Sequence, residues 1–223
     1  MKKINTKYGD ENMDLTNIKD VLASLIILIP AVLITLTIHE FGHAYAAYKL
    51  GDTTAKEEGR LSLNPLRHID PIGLLSLVIF RFGWGKPVPV DFTALRNLKK
   101  GMIIVSLAGP FANLLIAGVF SLIYRFMISR PFALSYLGYF ISLIQYTIML
   151  SIYLAIFNLI PIPPLDGSKI VFALTKNPLR FIYDDALNYY GIIFLVILLA
   201  IPIFKFDQLL MQIAGPILKF LIP

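Results

Sequence analysis

Five consecutive residues, His39-Glu40-Phe41-Gly42-His43, have the types and spacing for metal-assisted hydrolysis. On a helix, positions four apart share a face, so both imidazoles can reach one metal ion. Glu40 projects about 100° away, near enough to hydrogen-bond the metal's water without being a ligand. Zinc lowers the pKa of that water towards neutrality, and the carboxylate removes the proton. The hydroxide can then attack a peptide carbonyl polarised by the metal. With only three histidines in the chain, shuffling would produce this pattern about once in a thousand trials. The competing reading is two unligated histidines and a glutamate at one depth of an apolar helix, which is costly without a role.

A catalytic zinc takes three protein ligands. The candidates for the third are His68, the other histidine, and Asp166 in Asn158-Leu-Ile-Pro-Ile-Pro-Pro-Leu-Asp-Gly167. The prolines at 161, 163 and 164 stop a helix. Unwound backbone at membrane depth is tolerated only where protein or a wet cavity covers it, which puts Asp166 beside the active site. As a purely local feature, Asp166 is a turn or helix-cap aspartate, and Asn158 is an interhelical hydrogen bonder. His68 is an interfacial loop histidine or a group at the mouth of the site. Gly109, Asn113 and Ala117, spaced by four, form a small-residue stripe expected to pack on the zinc helix, with Asn113 available to orient a ligand or substrate group.

The elements that position these residues must be membrane helices. Of 223 residues, 57% are hydrophobic and 15% charged, against roughly 45–50% and about 25% for a soluble domain. Mean hydropathy is +0.73. Such an excess cannot be hidden in a water-soluble core, so lipid must solvate much of the surface. Cysteine is absent, which excludes a disulfide framework and a thiolate zinc site. The net charge of +6 comes from basic residues in short loops flanking apolar runs, where they set topology. Nucleic acid is therefore not an expected partner.

Residues 1–20 form a polar tail, and 21–223 a single membrane-embedded domain with its catalytic core at about 21–170. The expected fold is an all-α polytopic membrane protein with about four full transmembrane helices, at 21–47, 102–124, 133–160 and 187–204. Residues 72–82 are too short to cross and are expected to re-enter, accompanied by a small β-hairpin. In that region 59–65 alternates like a short strand, and the proline-rich 86–91 reads as an extended edge able to pair with substrate. A short apolar helix closes the chain at 208–222. Loops 49–100 and 169–180 carry twelve Lys and Arg residues, which places them in the cytoplasm of a multi-pass cell-membrane protein. From Val21 to His39 the helix rises about 27 Å, so the metal lies inside the bilayer near its cytoplasmic boundary.

The His39-to-His43 pentapeptide on a first membrane helix, followed by the Asn158-to-Gly167 segment, resembles the site-2 protease family of intramembrane zinc metalloproteases, peptidase family M50. Ala108-Gly-Pro-Phe-Ala-Asn113 and Trp84-Gly-Lys-Pro-Val-Pro-Val90 are also similar to family segments. The resemblance covers about 21–170 and is of the minimal-core type, without a PDZ insertion or a CBS domain. It implies one Zn²⁺ held by His39, His43 and Asp166, with Glu40 as general base. It also implies Asn158 near the scissile bond and membrane-anchored protein or peptide substrates cut in or near their transmembrane segments. Two other readings of the same residues are a membrane metal transporter and a noncatalytic zinc-containing scaffold. Transport needs no base between two ligands, and no internal repeat is visible.

Overall fold

The computed structural model describes residues 18–80, 83–129, 137–200 and 206–222. The polar tail up to residue 17, Arg81, the turn at 130–131, the start of the third expected span at 133–136 and the end of the fourth at 201–204 lie outside them.

The first helix, α1 (Ile18–Leu50), carries Pro30 within it. It stops at Leu50 because Gly51 adopts φ 114°, a left-handed conformation that suits glycine. The Gly51 and Asp52 amides then donate back to the carbonyls of Tyr48 and Ala47, closing the helix end with paired reverse bonds. A one-turn α2 (Thr54–Glu57) follows. The ten-residue α3 (Pro71–Phe80) rises about 15 Å, half the hydrocarbon thickness. Asp70 starts α3 by accepting the Ile72 and Gly73 amides at 2.8 and 3.1 Å. Those bonds, Gly73's foremost, hold the Asp70 carboxyl below the usual carboxylate range, with the Trp84 side chain contributing. Ile69 pairs with Gly85, which brings the segments flanking α3 side by side.

Helix α4 (Leu98–Ile128) begins at Asn97, whose side chain accepts from the Lys100 amide, and contains Pro110. After it come α5 (Gly138–Asn158), α6 (Asp166–Ala173), α7 (Pro178–Ile182), α8 (Asp185–Ala200) and α9 (Phe206–Leu221). Helix α4 is the hub, packed against α1, α5 and α6, while α9 lies on α5. Gly42 lets α1 and α4 touch, since a Cβ there would stand 2.7 Å from the Ala108 carbonyl oxygen. One apolar cluster joins Ala47, Met102, Val105 and Ala173. A second joins Ala117, Ile148, Ile152 and Ala214 at the other end of α4. Polarity is inverted relative to a soluble protein. Thr35, His39, Glu40, His43, Asn113, Ser151 and Asp166 are buried, whereas Phe111, Leu115, Leu122 and Phe126 on α4 are exposed. Apolar side chains facing outward over several turns need hydrocarbon as solvent.

One expectation is corrected and another is met in part. Among the described residues, three helices reach the length and apolarity of a membrane span, at Ser24–Leu50, Leu98–Ile128 and Gly138–Asn158. The fourth expected span falls on the apolar α8, and its end at 201–204 lies outside the described residues. The β-hairpin is absent among the described residues, which contain a single bridge and no strand. Pro87 and Pro89 cannot donate to a ladder. The amides of Lys86, Val88 and Asp91 are already bonded, to the His68 carbonyl and to the Glu40 and Asp52 carboxylates. Residues 59–65 form turns and a short 3₁₀ segment rather than a strand.

Candidate metal centre

The two histidines project from one face of α1, and Asp166, the first residue of α6, meets them. The His39 and His43 Nε2 atoms are 3.1 Å apart. Asp166 Oδ2 lies 3.3 Å from the first and 3.0 Å from the second. His43 Nδ1 is 2.7 Å from the Val105 carbonyl oxygen. A carbonyl only accepts, so Nδ1 carries the proton and the Nε2 of the neutral ring is a bare lone pair. Asp166 Oδ2 is buried without a hydrogen-bond partner. With His39 also protonated on Nδ1, three electron-rich atoms would face one another at this range and repel unless a cation sat among them. Tetrahedral zinc with ligand distances of about 2.0–2.1 Å has ligand-to-ligand edges of about 3.3 Å. The observed triangle fits that ion. Among the described residues this is the one cluster able to hold a metal, and His68 is outside it.

Each of the three groups is held from behind. Val105 fixes His43. The Asn113 amide touches His39 Nδ1 at 3.2 Å, and its own Oδ1 has no partner. A half-turn of that amide exchanges donor for acceptor and so selects which His39 nitrogen carries the proton. Asp166 gives its second oxygen to Lys169 Nζ at 2.9 Å, which keeps the carboxylate from turning away. Such outer partners are worth about 10- to 100-fold in metal affinity. Asn113→Leu, which keeps size and loses the amide, should weaken zinc binding by about that factor in a competition titration with a chromophoric chelator. Unchanged affinity would show that the ring needs no such support.

The candidate base, Glu40, turns its Oε2 to the Val88 amide at 2.7 Å and lines a cleft of about 850 Å³ with His39, His43 and Asp166. Asn158 and Lys169 line the same cleft, whose far wall is Ile192, Leu195 and Val196 of α8. Asn158, in the last turn of α5, donates one amide hydrogen to the Leu154 carbonyl at 3.0 Å. His68 is buried in the loop and bonds the Ser62 carbonyl at 2.8 Å. Gly109 and Asn113 of the small-residue stripe reach the histidines, whereas Ala117 joins the apolar cluster with α5 and α9.

Sequence reasoning missed Lys169, Val105 and Val88. For Lys169 a signal existed, since positions 166 and 169 share a helix face. Backbone groups such as the Val105 carbonyl and Val88 amide leave no mark in residue types.

Residues 127–198 match the model of peptidase family M50, a stretch that includes Asn158, Asp166 and Lys169. A Bacillus subtilis protein provisionally named zinc metalloprotease YwhC is 37% identical over 172 residues, covering 76% of this chain and 78% of that protein. The Mycobacterium tuberculosis protein provisionally named zinc metalloprotease Rip2 is 32% identical over 191 residues, covering 79% and 68%. The Mycolicibacterium smegmatis Rip2 is 35% identical over 147 residues, where the match spans 64% of this chain and about half of that protein, 54%. No solved structure matches the chain. With a zinc-compatible triad behind apolar membrane helices and these relatives at such coverage, the chain belongs to peptidase family M50, the site-2 protease family, as a multi-pass membrane zinc metalloprotease.

Proposed function

We propose that the protein is an intramembrane endopeptidase that hydrolyses peptide bonds in or near the transmembrane segments of membrane-anchored substrates. The observation that carries this reading is the convergence of His39, His43, Asp166 and the Glu40 carboxylate on one largely apolar cleft.

His39, His43 and Asp166 hold the ion. When bound, zinc supplies Lewis acidity that polarises the scissile carbonyl and makes a water acidic. Glu40 takes the proton of the attacking water on its free oxygen and later delivers it to the departing amine, so that it ends as the carboxylate it began. Asn158, with one amide hydrogen not used by Leu154, donates to the substrate carbonyl as negative charge develops there. Ile192, Leu195 and Val196 cover the cleft and keep bulk water from the substrate chain. A helical substrate must unwind locally for its carbonyl to be reached, because its own hydrogen bonds shield the peptide bond. His39 sits about 16 Å of helix rise from the end of α1 at Leu50, below the surface on the side of the Lys- and Arg-rich 49–100 loops. By the bias of basic loops that side is cytoplasmic.

Purified protein in liposomes, given a peptide with one membrane anchor, should cleave it with one zinc per chain. Chelation should reduce the rate to background, and one equivalent of zinc should restore it. Cleavage that survives complete zinc removal, or fully zinc-loaded protein that cuts no membrane-anchored peptide of a diverse set, would contradict the proposal.

A further inference from the structure

We propose that Arg60, a loop residue outside the cleft, is a positioning residue for the base Glu40 and acts through a single peptide plane, Pro87–Val88. The inference rests on the protease reading above and adds a component to it.

Glu40 Oε2 accepts the Val88 N–H at 2.7 Å. Pro87 and Pro89 lack N–H groups, so Val88 offers the sole backbone donor between Lys86 and Val90. Arg60 lies on the other side of the same peptide group. Its Nη2 donates to the Pro87 carbonyl at 3.1 Å and to the Lys86 carbonyl at 2.7 Å. The Pro87 C=O and the Val88 N–H belong to one planar unit and point in opposite directions. Fixing the oxygen therefore aims the hydrogen. The cationic donor also polarises the amide and strengthens it as a donor towards the carboxylate.

Arg60 is 5% exposed, and among the described residues its guanidinium meets carbonyl oxygens while its Nε has no partner. Burying that charge for solubility or topology alone has no rationale; clamping a peptide plane supplies one. The rest of the segment is tied independently, Lys86 N–H to the His68 carbonyl at 2.9 Å and Asp91 N–H to Asp52 at 2.9 Å. Arg60 is thus the group that sets the orientation of the plane. Glu40, held by one oxygen, keeps the other for the proton. The 86–91 segment serves the base, and at Val88 it has no free donor to pair with substrate.

The test compares Arg60→Met, Arg60→Lys, Val88→Pro and the double variant Arg60→Met/Val88→Pro in liposomes, with zinc stoichiometry, kcat and KM measured for each. Arg60→Met should retain one zinc and an unchanged KM while kcat falls about 10- to 100-fold, the scale on which small misplacements of a reacting group act. Val88→Pro, which removes the N–H and sets the ring Cδ against Glu40, should lower kcat at least as far. The double variant should be no worse than Val88→Pro alone, since Arg60 acts only through that N–H. Arg60→Lys should recover part of kcat. Wild-type kcat in Arg60→Met, zinc loss, a defect confined to KM, or additive losses in the double variant would each overturn the assignment. Should Val88→Pro not assemble, Glu40→Gln takes its place, and adding Arg60→Met to it must not lower the residual rate. Wild-type protein that cleaves nothing would defeat the protease reading itself, whereas Arg60→Met cleaving as fast as an active wild type would defeat only the role of Arg60.

Discussion

Gly109→Ala should yield a folded membrane protein that carries no zinc and cleaves nothing. A Cβ at Gly109 would stand 2.3 Å from His43 Nε2, 2.7 Å from its Cε1 and 2.8 Å from His39 Cε1. Side chains do not tolerate such distances, so an imidazole must move. Neither ring can move cheaply, because Val105 holds His43 and Asn113 holds His39. The displaced atom is the nitrogen that faces Asp166. Loss of one ligand should weaken zinc binding by far more than the roughly 10- to 100-fold expected for an outer partner. The same substitution favours the helix itself, by about 1 kcal/mol in intrinsic propensity, so thermal stability of the metal-free fold should not collapse. Gly118→Ala on the same helix is the control, since a Cβ there meets nothing within 4 Å. Zinc content by mass spectrometry and the visible spectrum of the cobalt-substituted protein separate the two variants. Normal zinc content in Gly109→Ala would mean that the histidines do not bind metal in the arrangement seen.

The candidate metal centre was more legible in the sequence than the architecture around it. His39, Glu40 and His43 could be read because helix periodicity converts a spacing of four into a shared face, whatever the tertiary structure. Asp166 was reached through its proline-broken context and a family resemblance, since its distance from α1 in sequence says nothing of its distance in space. The shortness of α3 was legible in the length of its apolar run alone. The hairpin failed because residue pattern shows which side chains alternate, not where backbone donors go, and the Val88 donor goes to Glu40. Arg60 was counted as one more charge on a topological side. A buried arginine whose partners are carbonyl oxygens has no counter-residue in the sequence to betray it.

Glu40→Gln separates binding from chemistry more sharply than any ligand change, and the expected result is full zinc occupancy with cleavage reduced about 10²- to 10⁴-fold, the usual contribution of a general base. The amide has the size of the carboxylate, and its Oε1 can still accept the Val88 N–H. The 86–91 segment therefore keeps its anchor and the cleft its shape. Glutamine has no proton-accepting oxygen of comparable basicity, so the water is not deprotonated and the amine not protonated. Since His39, His43 and Asp166 are untouched, zinc affinity should stay within a few-fold of wild type. Substrate affinity should be retained too, and anchored substrates should accumulate on the inactive protein in native membranes, where crosslinking and proteomics can identify them. A single readout decides the matter: zinc-loaded Glu40→Gln that cleaves an anchored peptide at the wild-type rate would remove Glu40 from the reaction. The convergence of His39, His43 and Asp166 would then describe a structural metal or a transport site rather than a protease. Metal flux into liposomes insensitive to Glu40→Gln would identify the transport case, and bound zinc with neither flux nor cleavage the structural one.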